Sequence, residues 1–192
     1  MKPVTDWEKR YQDDETGWDI GSVSRPLKEY FDQLENKKLK ILIPGCGNAH
    51  EAAYLHEKGF TNIFLLDIAA TPLKSFAGKY PDFPKEHLIQ ANFFEHKGQY
   101  DLIVEQTFFC AIDPADRAAY AKHAAALLPR GGKLVGLLWA VPMNEDHPPF
   151  GGSKSEYLDY FEPYFKLRTF EIAHNSIKPR VKRELFLIAE KK

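Results

Sequence analysis

An aliphatic run that ends in two glycines and passes at once into a helical pattern, LKILIPGCGNAHEAAYL at residues 39–55, constrains this chain more than any other feature. A continuous apolar strand belongs in the buried middle of a parallel sheet, and glycines at its tip let backbone come close to a ligand. The pattern then repeats. NIFLLDI, HLIQANFF, YDLIVEQ and GKLVGLLWA read as further strands, separated by the helical stretches TPLKSFAGKY and DPADRAAYAKHAAALLP. SRPLKEYFDQLEN before the first strand and SKSEYLDYFEPY after the fifth have apolar residues at helical spacing. The last two apolar runs, FKLRTFEIAH and RELFLIAEK, are joined by too short a loop for a helical crossover and predict an antiparallel pair. The expectation is an α/β, Rossmann-like fold of about seven strands, mostly parallel, closed by a C-terminal antiparallel hairpin, with helices on both faces. In such sheets ligands bind beyond the carboxyl ends of the strands.

The 192 residues show no composition break, so one domain over 1–192 is expected. A net charge of −1 lacks the Lys/Arg excess that phosphate contacts need, which argues against nucleic acid. The basic patch Lys178, Arg180, Lys182 and Arg183 reads as a solvated loop. No run of about eighteen apolar residues and no apolar leader core occurs, and the two cysteines lack metal or disulfide spacing. A cytoplasmic monomer acting on a small molecule, without membrane or metal, is the corresponding expectation.

The glycine turn is not a dinucleotide fingerprint. Gly45 and Gly47 supply the first two positions of G-x-G-x-x-G, but His50 stands at the third, where pyrophosphate needs a small residue. Asp67 at the tip of the second strand can accept hydrogen bonds from both ribose hydroxyls of an adenosine. An adenosine ligand without pyrophosphate, S-adenosylmethionine above all, fits this pair, its amino-acid end meeting backbone N–H groups around Gly45. Asn92 and Phe93 after the third strand would bond and cover the adenine. Glu105, Gln106 and Thr107 would lie past the fourth strand, beside the transferable methyl group.

The segments WEKRYQDDETGWDIG at 7–21, LIPGCGNAHEAAYL at 42–55, LLDIA at 65–69, NFFE at 92–95 and YDLIVEQTFFCAI at 100–112 resemble the thiopurine S-methyltransferase family, in particular its halide and thiol methyltransferase branch. The resemblance implies a class I S-adenosylmethionine-dependent methyltransferase whose N-terminal segment, residues 1–24, folds over the cofactor as a lid. It implies that Trp7, Tyr11 and Trp18 contact cofactor or substrate. Gly45 and Asp67 would hold the methionyl and ribose parts, Asn92 and Phe93 would face the adenine, Gln106 would lie near the methyl group, and Gly47 and Ile68 complete the expected cofactor-binding set. Two tryptophans in a polar, acidic segment agree with this, since an aromatic face attracts a sulfonium by roughly 0.5–2 kcal/mol.

The acceptor pocket is expected to be walled by Phe108, Phe109, Cys110 and Phe150 together with the two tryptophans. Phe150 stands where relatives carry a tyrosine hydroxyl that helps bind small anions. Its loss weighs against halide and thiocyanate and toward a larger, softer or apolar thiol or thiopurine-like sulfur. Methyl transfer to sulfur needs no strong base, consistent with the lack of a Ser/His/Asp or paired-carboxylate constellation. No catalytic residue is assigned, and structural roles are the expectation for Glu105 and His147. Methylation of a hydroxyl and a non-catalytic nucleotide-binding module are the competing readings.

Overall fold

A computed structural model of the chain describes residues 5–192. The first four residues of the expected lid segment lie outside the described residues. Seven strands form one sheet: β1 (Ile41–Pro44), β2 (Ile63–Asp67), β3 (Leu88–Gln90), β4 (Leu102–Gln106), β5 (Lys133–Trp139), β6 (Phe165–Ile172) and β7 (Glu184–Lys191), in the spatial order β3-β2-β1-β4-β5-β7-β6. The first five run parallel, and β7 inserts antiparallel between β5 and β6. The helices are α1 (Trp7–Gln12), α2 (Arg25–Phe31), α3 (His50–Glu57), α4 (Ala70–Lys79), α5 (Arg117–Ala126) and α6 (Lys154–Phe161). The expected architecture is therefore observed.

The two-residue period of the strands splits the core into two layers. In β1, Ile41 and Ile43 face α2, α3 and α4 through Leu27, Phe31, Leu55, Leu73 and Phe76, while Leu42 faces the opposite layer. In β4, Leu102 and Val104 join the first layer and Ile103 the second, where α5 and α6 contribute Tyr120, Ala121, Tyr157 and Phe161. Covering both faces is what fully apolar strands require.

Two local departures from the sequence expectation matter for the site. The third strand ends at Gln90, because the Asn92 side chain accepts from Phe94 N at 3.0 Å and turns Phe93–Glu95 into a 3-10 helix. Glu105 and Gln106 are the last two residues of β4 rather than residues beyond it. Strand order reverses at β1, which lies between β2 and β4, so the crevice opens at the carboxyl ends of these strands.

Candidate active site at the strand tips

The turn after β1 carries three left-handed residues within five positions: Gly45 at φ 56°, Gly47 at 51° and Ala49 at 55°. Glycine is needed at the first two for a further reason. A Cβ at Gly45 would stand 2.3 Å from Phe108 Cδ2, and one at Gly47 would stand 2.7 Å from the Tyr11 hydroxyl. Tyr11 belongs to α1, so the N-terminal segment packs directly on the glycine turn. Burial and the nearby Asp67 carboxylate push the Tyr11 hydroxyl well above its ordinary value, so it stays protonated.

Asp67 ends β2 almost fully buried. Its Oδ2 accepts from Gly47 N and its Oδ1 from Ala69 N, each at 2.9 Å. Burial raises its carboxyl, and these backbone bonds oppose the rise. The turn's own N–H groups are largely spent: Cys46 N donates to Leu66 O, Gly47 N to Asp67 and Ala49 N to Cys46 O. These three N–H groups are therefore not free for the amino-acid end of a ligand.

A cleft of about 380 Å³ opens over the strand tips. Its lining includes Trp7, Tyr11 and Trp18 from the N-terminal segment, Gly45 after β1, Asp67 and Ile68 after β2, and Asn92 and Phe93 after β3. Ile68 is 57% exposed, a largely uncovered aliphatic side chain in the lining of the cleft. The acceptor-side wall comes from Phe108, Cys110, Ala111, Ile112, Pro148 and Pro149. Burial pushes the Cys110 thiol up to about 12, and its Sγ donates to Thr107 O at 3.2 Å, so it is a wall and not a nucleophile.

The N-terminal segment is fastened by polar contacts that sequence reasoning missed. Glu8 caps α4, accepting from Ala70 N at 2.7 Å, Thr71 N at 3.0 Å and Thr71 Oγ1 at 2.6 Å; these bonds hold its carboxyl down at about 2. Asp19 bonds Asn48 Nδ2 and, at 2.7 Å, His50 Nε2. The Trp18 carbonyl accepts from Arg180 at 2.9 Å. Arg180 is buried and paired with Glu184 at 3.1 Å, so it is no part of a solvated basic loop. Arg10, also unanticipated, lines the cleft with its guanidinium 4.7 Å from the Trp18 ring centre. Trp18 meets Trp7 and Tyr11 edge to face at 5.6 and 5.7 Å.

Four expected site residues, Phe109, Phe150, Gln106 and Gly47, do not line this cleft. Phe109 is buried against Tyr120, Tyr157 and Phe161 and does not line the cleft. Phe150 is also buried and off the cleft, its place taken by Pro148 and Pro149. Gln106 lines a second, smaller cavity beneath the glycine turn together with Gly47, and its Oε1 is buried with no hydrogen-bond partner among the described residues. The physical cause in the first case is Glu105. Wholly buried, its Oε1 accepts from Phe108 N and Phe109 N, both at 2.8 Å, and its Oε2 from Tyr120 Oη at 2.7 Å. This bends the chain at Thr107, with φ 60°, so that Phe108 faces the cleft and Phe109 the core. Glu105 is thus a structural group, and His147 is an exposed one off the cleft.

The family model for thiopurine S-methyltransferase matches residues 3–191. The chain belongs to the thiopurine S-methyltransferase family. It is 31% identical over 93% of its length to thiocyanate methyltransferase 1 of Brassica oleracea, covering 81% of that protein. It is 28% identical to the probable thiol methyltransferase 2 of Arabidopsis thaliana, over 79% of this chain and 69% of that one. Among solved structures, the 1,6-didemethyltoxoflavin-N1-methyltransferase of Burkholderia thailandensis, with bound 1,6-didemethyltoxoflavin and S-adenosylhomocysteine, superposes with a TM-score of 0.78 at 15% identity, over 96% of this chain and 84% of that one. That likeness gives the family member its fold class, a Rossmann-like methyltransferase sheet. No helix among the described residues is long and apolar enough to cross a membrane.

Proposed function

We propose that this chain transfers the methyl group of S-adenosylmethionine to a small sulfur nucleophile in the cleft at the strand tips. The observation that carries the reading is convergence. A buried carboxylate at the end of β2, an uncovered aliphatic side chain beside it and three aromatic residues from the N-terminal segment meet over one glycine turn. The donor set fits the cofactor. Asp67 has lone pairs left for ribose hydroxyls after its two backbone bonds, and an adenine ring would cover Ile68. Asn92 spends its carbonyl oxygen on Phe94 N, so its amide donors suit a ring nitrogen of adenine better than the exocyclic amine.

When bound, the cofactor supplies an electrophilic methyl group on a sulfonium. The chain's part is alignment, exclusion of water and shielding of charge. Residues 5–24, held down by Glu8 and Asp19, act as the lid, with Trp7, Tyr11 and Trp18 presenting rings to the cation. Cys110, Ala111, Ile112, Pro148 and Pro149 offer an apolar wall, and the Asp113 and Asp116 carboxylates that also line the cleft disfavour an anion there. At about 380 Å³ the cleft is near the small end of ligand pockets, and sharing it with the cofactor limits the acceptor to a small molecule. A thiol with an apolar body suits this wall. The likeness to a thiocyanate methyltransferase supports thiocyanate as the second reading. A cytoplasmic, monomeric protein acting without nucleic acid completes the proposal.

Calorimetric titration with S-adenosylhomocysteine tests the cofactor half: binding below about 100 µM is expected, and no heat up to about 1 mM overturns it. A radiolabelled-methyl assay over apolar thiols, sulfide, thiopurines, thiocyanate, halides and phenols tests the acceptor half. Transfer to phenols alone would defeat the sulfur assignment, and thiocyanate above every thiol would select the second reading.

A further inference from the structure

The acceptor-side wall includes two adjacent prolines, Pro148 and Pro149. Neither has an N–H to give, so this stretch cannot fasten itself through its own backbone donors and must be held at its carbonyls or by its neighbours. One neighbour does so directly: Phe150 N donates to Cys110 O at 2.7 Å, tying the prolines to the other half of the wall. Beyond it the chain passes close to its own upstream turn. A Cβ at Gly151 would stand 2.0 Å from Val141 O, and Gly152 N donates to that oxygen at 3.2 Å.

Two carbonyls of this stretch are held by one side chain. Arg117, the first residue of α5, donates from Nη2 to Phe150 O at 3.2 Å and from Nη1 to Gly151 O at 2.9 Å. It is 1% exposed, with its guanidinium 4.9 Å from the Phe109 ring centre and 5.5 Å from that of Tyr157. Nη1 also meets Glu156 Oε1 of α6 at 3.1 Å. Burying a charge is costly, and well-packed apolar residues often replace a buried ion pair without loss of stability, so packing alone does not call for an arginine here. Geometry does. A rigid planar fork spans two successive carbonyls and a carboxylate, which an ammonium on a flexible stem does not. The fork is aimed at them at the expense of its own third nitrogen, since Nε is buried with no partner among the described residues. The charge is also felt at Cys110, where it opposes the rise that burial imposes on the thiol. Arg117 therefore lies behind both halves of the wall without lining the cleft itself.

We propose that Arg117 is a positioning residue for the methyl acceptor: by holding Phe150 O and Gly151 O it fixes Pro148 and Pro149 relative to Cys110, and so sets the width of the acceptor end of the cleft. The inference rests on the function proposed above and deepens it, since the width of this end decides which sulfur nucleophiles fit. The cofactor side is built from other elements, with Asp67 and Ile68 after β2 and Asn92 and Phe93 after β3. Loosening the wall should therefore change how the acceptor is held and leave cofactor binding alone.

The test measures methyl transfer to ethanethiol and to the bulkier thiophenol, together with calorimetric binding of S-adenosylhomocysteine, on the wild type, Arg117→Lys and Gly151→Ala. Lysine keeps a charge for Glu156 and gives up the fork. Gly151→Ala forces the same stretch away from Val141 O while leaving the core arginine in place, so it decides the matter if the lysine variant melts early. In both variants KM for ethanethiol is expected to rise at least about fivefold, and the kcat/KM ratio of thiophenol to ethanethiol to move by at least about threefold. The Kd of S-adenosylhomocysteine should stay within about twofold of wild type. An unchanged KM and an unchanged ratio in both variants would overturn the role of Arg117 and leave the proposed function standing. A Kd that rises in step with KM would also overturn it, as the mark of general loosening. Transfer to neither thiol by the wild type would remove the thiol reading and this inference together.

Discussion

Phe108 occupies the space in which Gly45 would carry a side chain, with its Cδ2, Cγ and Cβ at 2.3, 2.6 and 2.9 Å from an ideal Cβ. Two turns from different strands are thereby locked face to face, and the aromatic ring that walls the cleft is seated on the glycine that opens it. Gly45→Ala meets both this ring and a left-handed backbone. A loss of about 2–4 kcal/mol is expected, read as a fall of roughly 5–15 °C in Tm. Shortening Phe108 to alanine in the same chain should recover part of the loss. A Gly45→Ala melt within 2 °C of wild type would show that the contact is not rigid.

Glu8 is the sharpest case of a distant residue doing local work, since it caps a helix that begins 62 positions later. A carboxylate held down at about 2 contributes its bonds fully above the usual 4.5 and loses them only as pH falls through about 2. The contact is therefore constant across the neutral range. Glu8→Ala should weaken S-adenosylhomocysteine binding severalfold at pH 7 while leaving the melt of the sheet nearly unchanged. The wild-type to Glu8→Ala ratio of Kd should be flat from pH 5 to 8, and a ratio that moves tenfold across that window would disprove the cap's role.

What the sequence made legible were features written in neighbouring residues. The glycine turn, Asp67 at a strand tip and the alternating elements depend on spacing within a few positions. Insertion of β7 between β5 and β6 and the burial of Arg180 were not legible, because each depends on partners far along the chain; Arg180 meets Trp18 across 162 positions. The aromatic pair Phe108 and Phe109 shows the limit most clearly. Neighbours of one type were both assigned to the pocket, yet three bonds to Glu105 send one into the core. A carboxylate closing an apolar strand, LIVE, was the available signal: such a group must find donors, and the next turn supplies them.

Ile68 gives a test of the cleft that spares the fold. At 57% exposure it adds little to the stability of the free chain. Covering it with an adenine ring would contribute about 1 kcal/mol. Ile68→Ser should raise the Kd for S-adenosylhomocysteine about five- to tenfold and leave Tm of the free chain within about 1 °C. An unchanged Kd would mean that the adenine does not lie over this side chain.

Glu105 predicts a pH-linked stability of the opposite sign to the usual surface carboxylate. Burial pushes it up to about 7, and the bonds from Phe109 N, Tyr120 and Phe108 N only partly oppose this. The native chain then keeps a proton between pH 4.5 and 7 that the unfolded chain has released, so raising the pH through this window favours unfolding. The penalty is absent below about 4.5 and complete above about 7, with a magnitude on the order of 3 kcal/mol. Glu105→Gln can still accept from both backbone N–H groups while its amide nitrogen donates to the Tyr120 oxygen. Its stability relative to wild type should therefore rise from pH 5 to pH 8 in urea titrations at each pH. Parallel curves would show that the carboxylate is held as comfortably ionised as protonated, and that the turn carrying Phe108 into the cleft is insensitive to the charge beneath it.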